Sequence, residues 1–130
     1  MSRWRIRITA AFLCLGAVAG AAPAGAGEPE ARRLIADAAG AILVITWSPL
    51  NVMRLDLRSD GIAVAIGMGL RHCDGPHPAR WRIRDGMLCL ATRWSEPCFT
   101  VDGDVRGYAL KERGERPVTS RIEAGPLGGC

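Results

Sequence analysis

From Gly40 onward the chain alternates apolar and polar residues with a period of two, in short runs separated by turn residues, which is the pattern of β-strands. Ala41-Ile42-Leu43-Val44-Ile45-Thr46-Trp47 is almost wholly apolar and rich in β-branched residues, so it predicts a central strand covered on both faces and ended by Ser48-Pro49. In Val52–Arg58, Met53, Leu55 and Leu57 oppose Arg54, Asp56 and Arg58, and Ser59-Asp60-Gly61 supplies a hairpin turn. Ile62, Val64, Ile66 and Met68 then alternate with Ala63, Ala65 and Gly67, small residues that let another surface come close. Leu70 to Pro78 reads as an irregular stretch. Beyond it, Trp81 and Ile83 alternate with Arg80, Arg82 and Arg84, and Asp85-Gly86 is a strong two-residue hairpin signal. Runs around Cys89, Cys98, Tyr108 and Val118 complete a set of about eight strands. Upstream the period is helical: Leu34, Ile35 and Ala38 share one face of Glu28–Ala39, Pro29 stands near its start and Gly40 stops it. The expected fold is mainly β, a small antiparallel meander or barrel-like sheet with one short N-terminal helix. A closed barrel and an open folded sheet satisfy this alternation equally.

The first 26 residues have a different character. Arg3, Arg5 and Arg7 precede an apolar run from Ile8 to Ala22, followed by the small-residue stretch Ala22-Pro23-Ala24-Gly25-Ala26. Basic start, apolar middle and small-residue end are the three regions of a secretory signal, with cleavage expected after Ala24 or Ala26. The run falls short of the roughly 20 apolar residues of a membrane span. Cys14 follows Ala11-Phe12-Leu13 and lacks the small-residue context of a lipidated cysteine. The chain therefore divides into a signal peptide at 1–26, one β-rich domain at 27–124 and a Gly-rich tail at 125–130. A periplasmic or secreted location follows, with no stable membrane anchor.

Removal of the leader changes the charge balance. The whole chain has 17 basic and 13 acidic residues, and loss of Arg3, Arg5 and Arg7 leaves 14 against 13. A net charge this close to zero gives no support to nucleic-acid binding.

Four cysteines remain once Cys14 has left with the leader, and an even set in an oxidising compartment is read as disulfides. Cys89 alternates with Leu88 and Leu90, and Cys98 with Phe99 and Val101, so both face away from the core side. If the two runs pair as a hairpin around Trp94-Ser95-Glu96-Pro97, the cysteines lie opposite one another within disulfide reach. Cys73 and Cys130 are then left to pair with each other. The alternative is an intermolecular bond through Cys130, which would make a dimer.

Little in the sequence points to catalysis. His72-Cys73-Asp74-Gly75-Pro76-His77 is the one close cluster of ligand-type side chains, but its spacing does not match paired metal ligands and an oxidised Cys73 cannot ligate as thiolate. No serine stands in an elbow-like motif, and both histidines sit in the same loop. No catalytic residue, metal or cofactor is expected. Arg80, Arg82 and Arg84 read as a solvated outer face. Trp47 and Trp81 fall on core phases, whereas Trp94 sits at a turn, partly exposed.

Ala79-Arg80-Trp81-Arg82-Ile83-Arg84-Asp85-Gly86-Met87-Leu88-Cys89, then Cys98-Phe99 and a closing Ile122-Glu123-Ala124-Gly125, resembles a group of small exported bacterial proteins that share a Trp, a DG-x-L-C hairpin and a second Cys before an aromatic. The resemblance spans about half the mature chain. It implies an exported β-sheet domain and the Cys89–Cys98 pairing, and no reaction.

Together these readings predict an exported, non-enzymatic binding or envelope-associated domain with its partner left open. One alternative is a lipocalin-like carrier that holds a small apolar ligand among Ile62, Val64, Ile66, Trp81 and Leu90. The other is a weak hydrolase, which would need an open pocket converging on His72 or His77 with an acid nearby.

Overall fold

The computed structural model describes residues 27–113 and 116–130, so the expected signal peptide at 1–26 lies outside the described residues. The helix α1 (Glu28–Ala38) is followed by eight strands: β1 (Ile42–Ser48), β2 (Asn51–Leu57), β3 (Ile62–Met68), β4 (Cys73–Arg84), β5 (Met87–Ala91), β6 (Cys98–Asp104), β7 (Gly107–Glu112) and β8 (Arg116–Glu123). Each strand pairs antiparallel with the next, and β8 returns to β1 through Ile42↔Glu123 to Thr46↔Thr119, so the meander closes into a barrel. Closure gives every strand two hydrogen-bonded neighbours and removes the sheet edges that an open meander would leave unpaired.

The barrel is filled. Leu43, Ile45, Leu55, Leu88, Leu90 and Phe99 are all 0% exposed and belong to one apolar cluster. Ala31, Leu34, Ile35 and Ala38, one face of α1, belong to it as well. An 11-residue helix is marginal in water, but burying large side chains such as Leu34 and Ile35 is worth about 1.5–3 kcal/mol each, and docking therefore holds it. Its last turn is fastened to the wall where Tyr108 Oη donates to Asp37 Oδ2. Tyr108 opens β7 beside the β6–β7 turn, so α1 plugs that end of the barrel.

In β3 it is the face of small residues that turns inward, opposite to what the carrier reading requires. Ala63 and Ala65 are the buried inward residues, whereas Ile62 is 43% exposed and Val64 only half-buried. Alternation defines two faces of a strand without saying which one turns inward. Here the narrow interior, already occupied by Phe99 and the helix face, takes the small residues. The carrier reading is corrected accordingly: Ile62 and Val64 do not line an interior cavity, Ile66 is buried outside the central cluster, Leu90 is packed within the core and half-buried Trp81 packs against it.

The stretch expected to be irregular is also corrected, since Cys73 to Pro78 begins the 12-residue β4. Its pairing with β3 shifts register between Ala65 and Gly67. Gly75 sits at this irregularity with φ +128°, and a Cβ there would lie 2.8 Å from the Ala65 carbonyl oxygen, so only glycine fits.

Both expected disulfides are present within the chain: Cys89–Cys98, with Cα atoms 4.0 Å apart, and Cys73–Cys130, at 5.6 Å. The second turns the C-terminal segment into a strap. It leaves β8 at Glu123 beside Ile42 and ends at Cys73 beside Met68, so Ala124 to Cys130 must pass outside β1–β3. Ile42, Val44 and Ile66 are 2%, 1% and 1% exposed on that side, yet none belongs to the interior cluster. Half-buried Leu127 lies in the strap. Among the described residues no helix is long and apolar enough to cross a membrane.

Candidate functional site

The end of the barrel opposite α1 is open. The β1–β2, β3–β4 and β5–β6 connections surround a pocket of about 480 Å³. Its apolar walls are Trp47, Leu50, Met53, Met68 and Trp94, while His72, Asn51, Ser95, Glu112 and Arg116 bring polar groups to it. Among the described residues six large apolar side chains are exposed, and three of them, Leu50, Met68 and Trp94, line this pocket. Apolar surface gathered around a concavity, rather than scattered, marks a place where something binds.

Several independent constraints hold Trp94 in position. The Cys89–Cys98 bond closes the base of its loop. Inside the loop, Thr92 Oγ1 accepts the backbone N–H of Trp94 at 3.3 Å and of Ser95 at 3.2 Å, and donates to the Ser95 carbonyl at 2.8 Å. The indole Nε1 donates to Asp74 Oδ2 at 2.9 Å. Its six-membered ring lies over Gly67, where a Cβ would come within 3.0 Å of Cζ2, so β3 leaves room for the indole by carrying no side chain there.

Asp74 in turn meets His77, whose Nε2 is 2.6 Å from Oδ1. Arg93 Nη1 approaches the same ring nitrogen at 2.9 Å. One nitrogen cannot donate to Asp74 and accept from Arg93 at once. The shorter contact, to a carboxylate, fits the ring as donor and leaves Arg93 as a neighbouring cation. The hydrogen bonds from His77 and Trp94, with the nearby positive charge, hold the Asp74 carboxyl below the usual carboxylate range. His77 stacks edge-on against Trp94 at 5.7 Å, so this polar group braces the Trp94 loop from behind.

On the other wall, Trp47 packs tilted against Phe99 at 5.8 Å and donates its Nε1–H to Glu112 Oε2 at 3.0 Å. Glu112, the one carboxylate lining the pocket among the described residues, thereby accepts a hydrogen bond on one of its two oxygens. Arg116 faces Glu112 across the β7–β8 ladder, yet forms no ion pair among the described residues.

No protein-family model, curated protein or solved structure matches the chain.

The residues singled out from the sequence fall in three places. Cys73 and Cys98 anchor segments bordering the mouth, and their partners Cys130 and Cys89 complete the bonds. His72 lines the pocket, while His77 stands behind Trp94, so the two histidines do not converge on one point. Arg80, Arg82 and Arg84 project from β4 to the exterior. Sequence reasoning missed the pocket itself. In the sequence Trp47 falls on a core phase, and Met53 and Met68 carry no signal beyond alternation. The one available clue was Trp94, a large apolar residue in a turn.

Proposed function

We propose that the protein is an exported, non-enzymatic binding domain that takes a compact, largely apolar ligand at the open mouth of its barrel. The observation that carries this reading is the clustering of exposed apolar side chains around the concave site, with Trp94 held rigidly at its edge. Two disulfides and a leader-like N-terminus support passage to an oxidising compartment. Preorganisation matters energetically, because a wall already ordered before binding loses little side-chain entropy when the ligand arrives. The filled interior separates this site from a carrier's barrel cavity: the ligand sits on the core rather than within it.

The test is a titration of the purified, oxidised protein with the neutral fluorophore N-phenylnaphthylamine. Saturable, single-site enhancement is expected, weakened at least about 5-fold in Trp94→Ala, which removes one wall of the site. Absence of saturable binding, or equal binding by the variant, overturns the reading.

A further inference from the structure

We infer that Cys73–Cys130 is a site of thiol–disulfide exchange with small dithiols, opened and reclosed on the folded protein by a swinging C-terminal arm while Cys89–Cys98 stays closed. Three features of the structure lead there.

The first is access. Exchange requires a thiolate to reach a disulfide sulfur, so burial of the bond slows it. Cys73 and Cys130 are both exposed. Cys89, by contrast, is 3% exposed, and its half-buried partner Cys98 lies directly opposite it on the adjoining strand. A reductant in solution meets the first bond and is screened from the second.

The second is independence from the barrel. β8 closes on β1 through Ile42↔Glu123 to Thr46↔Thr119, and β4 keeps its own pairing with β3 at Met68↔Cys73 and Gly67↔Asp74. None of these pairs involves 124–130, and among the described residues no backbone hydrogen bond ties that segment to the barrel. Parting the two sulfurs therefore breaks no ladder, and the chain need not unfold first.

The third is the build of the arm. Leu127 is the one residue of 124–130 that is not exposed, on a segment that passes outside β1–β3. Between it and Cys130 stand Gly128, with φ +74°, and Gly129, and nothing lies within 4 Å of where a Cβ of either would be. Two unhindered glycines make a joint. With Leu127 seated, Cys130 swings on this joint yet stays tethered near Cys73, which favours reclosure over capture of another chain.

The exchange balances as follows. One thiolate of the dithiol attacks Sγ of Cys130, forming a mixed disulfide on the arm and expelling Cys73 as a thiolate. The second thiol of the reagent attacks its own sulfur in that mixed bond, and Cys130 leaves as a thiolate. Both cysteines take up the protons the dithiol loses, two electrons pass to the protein, and the reagent departs as a cyclic disulfide. A disulfide oxidant such as oxidised glutathione takes the two electrons back and restores the bond.

The test adds dithiothreitol to the oxidised protein in native buffer, traps free thiols with iodoacetamide and maps them by peptide mass spectrometry. Cys73 and Cys130 are expected to be labelled at least about 10-fold faster than Cys89 and Cys98. Leu55→Ala, which weakens the core, should leave that faster rate unchanged, because no unfolding precedes the exchange. Once dithiothreitol is removed, oxidised glutathione should regenerate monomers carrying Cys73–Cys130, and Leu127→Ala should divert the product toward glutathione adducts and disulfide-linked dimers. Labelling of all four cysteines together, labelling of Cys89 and Cys98 first, or a faster rate in Leu55→Ala would overturn the exchange site. Reclosure mainly between chains, or reclosure untouched by Leu127→Ala, would overturn the anchored arm.

Discussion

Replacing Cys73 and Cys130 together by alanine isolates the contribution of the strap bond, because both residues are exposed and their loss leaves no interior cavity. The bond joins positions 57 residues apart. Loop-closure entropy grows with the logarithm of the closed length, which for a loop of this size gives about 4 kcal/mol at room temperature. The Cys89–Cys98 bond spans a separation of only 9 and should contribute about 2.5–3 kcal/mol on the same basis. Against a total stability of about 5–15 kcal/mol for a small domain, either loss is large. Urea denaturation without reductant, followed by tryptophan fluorescence, would read these differences, and a scan should show the Cys73→Ala/Cys130→Ala midpoint roughly 15–30 °C lower. Cys73→Ala combined with deletion of 124–130 should cost at least about 1.5 kcal/mol more, since Ile42, Val44 and Ile66 then lose their cover. A strap-bond loss smaller than that of Cys89→Ala/Cys98→Ala would refute the loop-closure argument. Equal stability of the double variant and the deletion would show that the strap covers nothing.

Other expectations follow from the same structure. Leu55→Ala, at a site with 0% exposure inside the barrel, should destabilise by about 2–5 kcal/mol in the same denaturation assay; a loss below about 1 kcal/mol would mean the interior is loosely filled. Gly75→Ala places a Cβ 2.8 Å from a backbone oxygen at positive φ and should lower the melting temperature measurably, whereas Gly129→Ala, with nothing near its Cβ, should not. Because the folded-state pKa of Asp74 is depressed, its contribution is present above the unfolded carboxylate value and lost as pH falls through the folded one. Acidification through that depressed value, below the ordinary carboxylate range, should therefore release Trp94, seen as a red shift in emission that Asp74→Asn produces at neutral pH. For Tyr108 the sign is opposite: burial first, then the hydrogen bond to Asp37, push its hydroxyl up to about 12, so its contribution is intact below pH 10 and fades between about 10 and 12. Tyr108→Phe should flatten that alkaline decline in a pH series of melting temperatures.

Most of the architecture was legible in the chain because local rules acted alone. Asp85-Gly86 requires a tight turn, and the observed β4–β5 hairpin pairs Arg84 with Met87 across it. Leu88 and Phe99 fix the phase of their strands, and the Cys89↔Cys98 register follows from that phase. Pro29 and Gly40 bracket the helix within a residue or two of where it lies. Ala41 to Trp47 announced cover on both faces, and its outward Val44 is indeed buried.

Tertiary structure decided what no local rule reaches. Whether β3 turns its alanines or its bulky residues inward depends on how much volume Phe99 and α1 already take, a property of the closed barrel and not of the strand. Closure itself depends on β1 meeting β8, partners separated by most of the folded chain. The pocket arises because three connections distant in sequence and the paired ends of β7 and β8 meet at one rim, bringing Trp47, Met68, Trp94 and Arg116 together. Period-two alternation encodes the faces of strands, and only packing assigns those faces to core, strap or ligand.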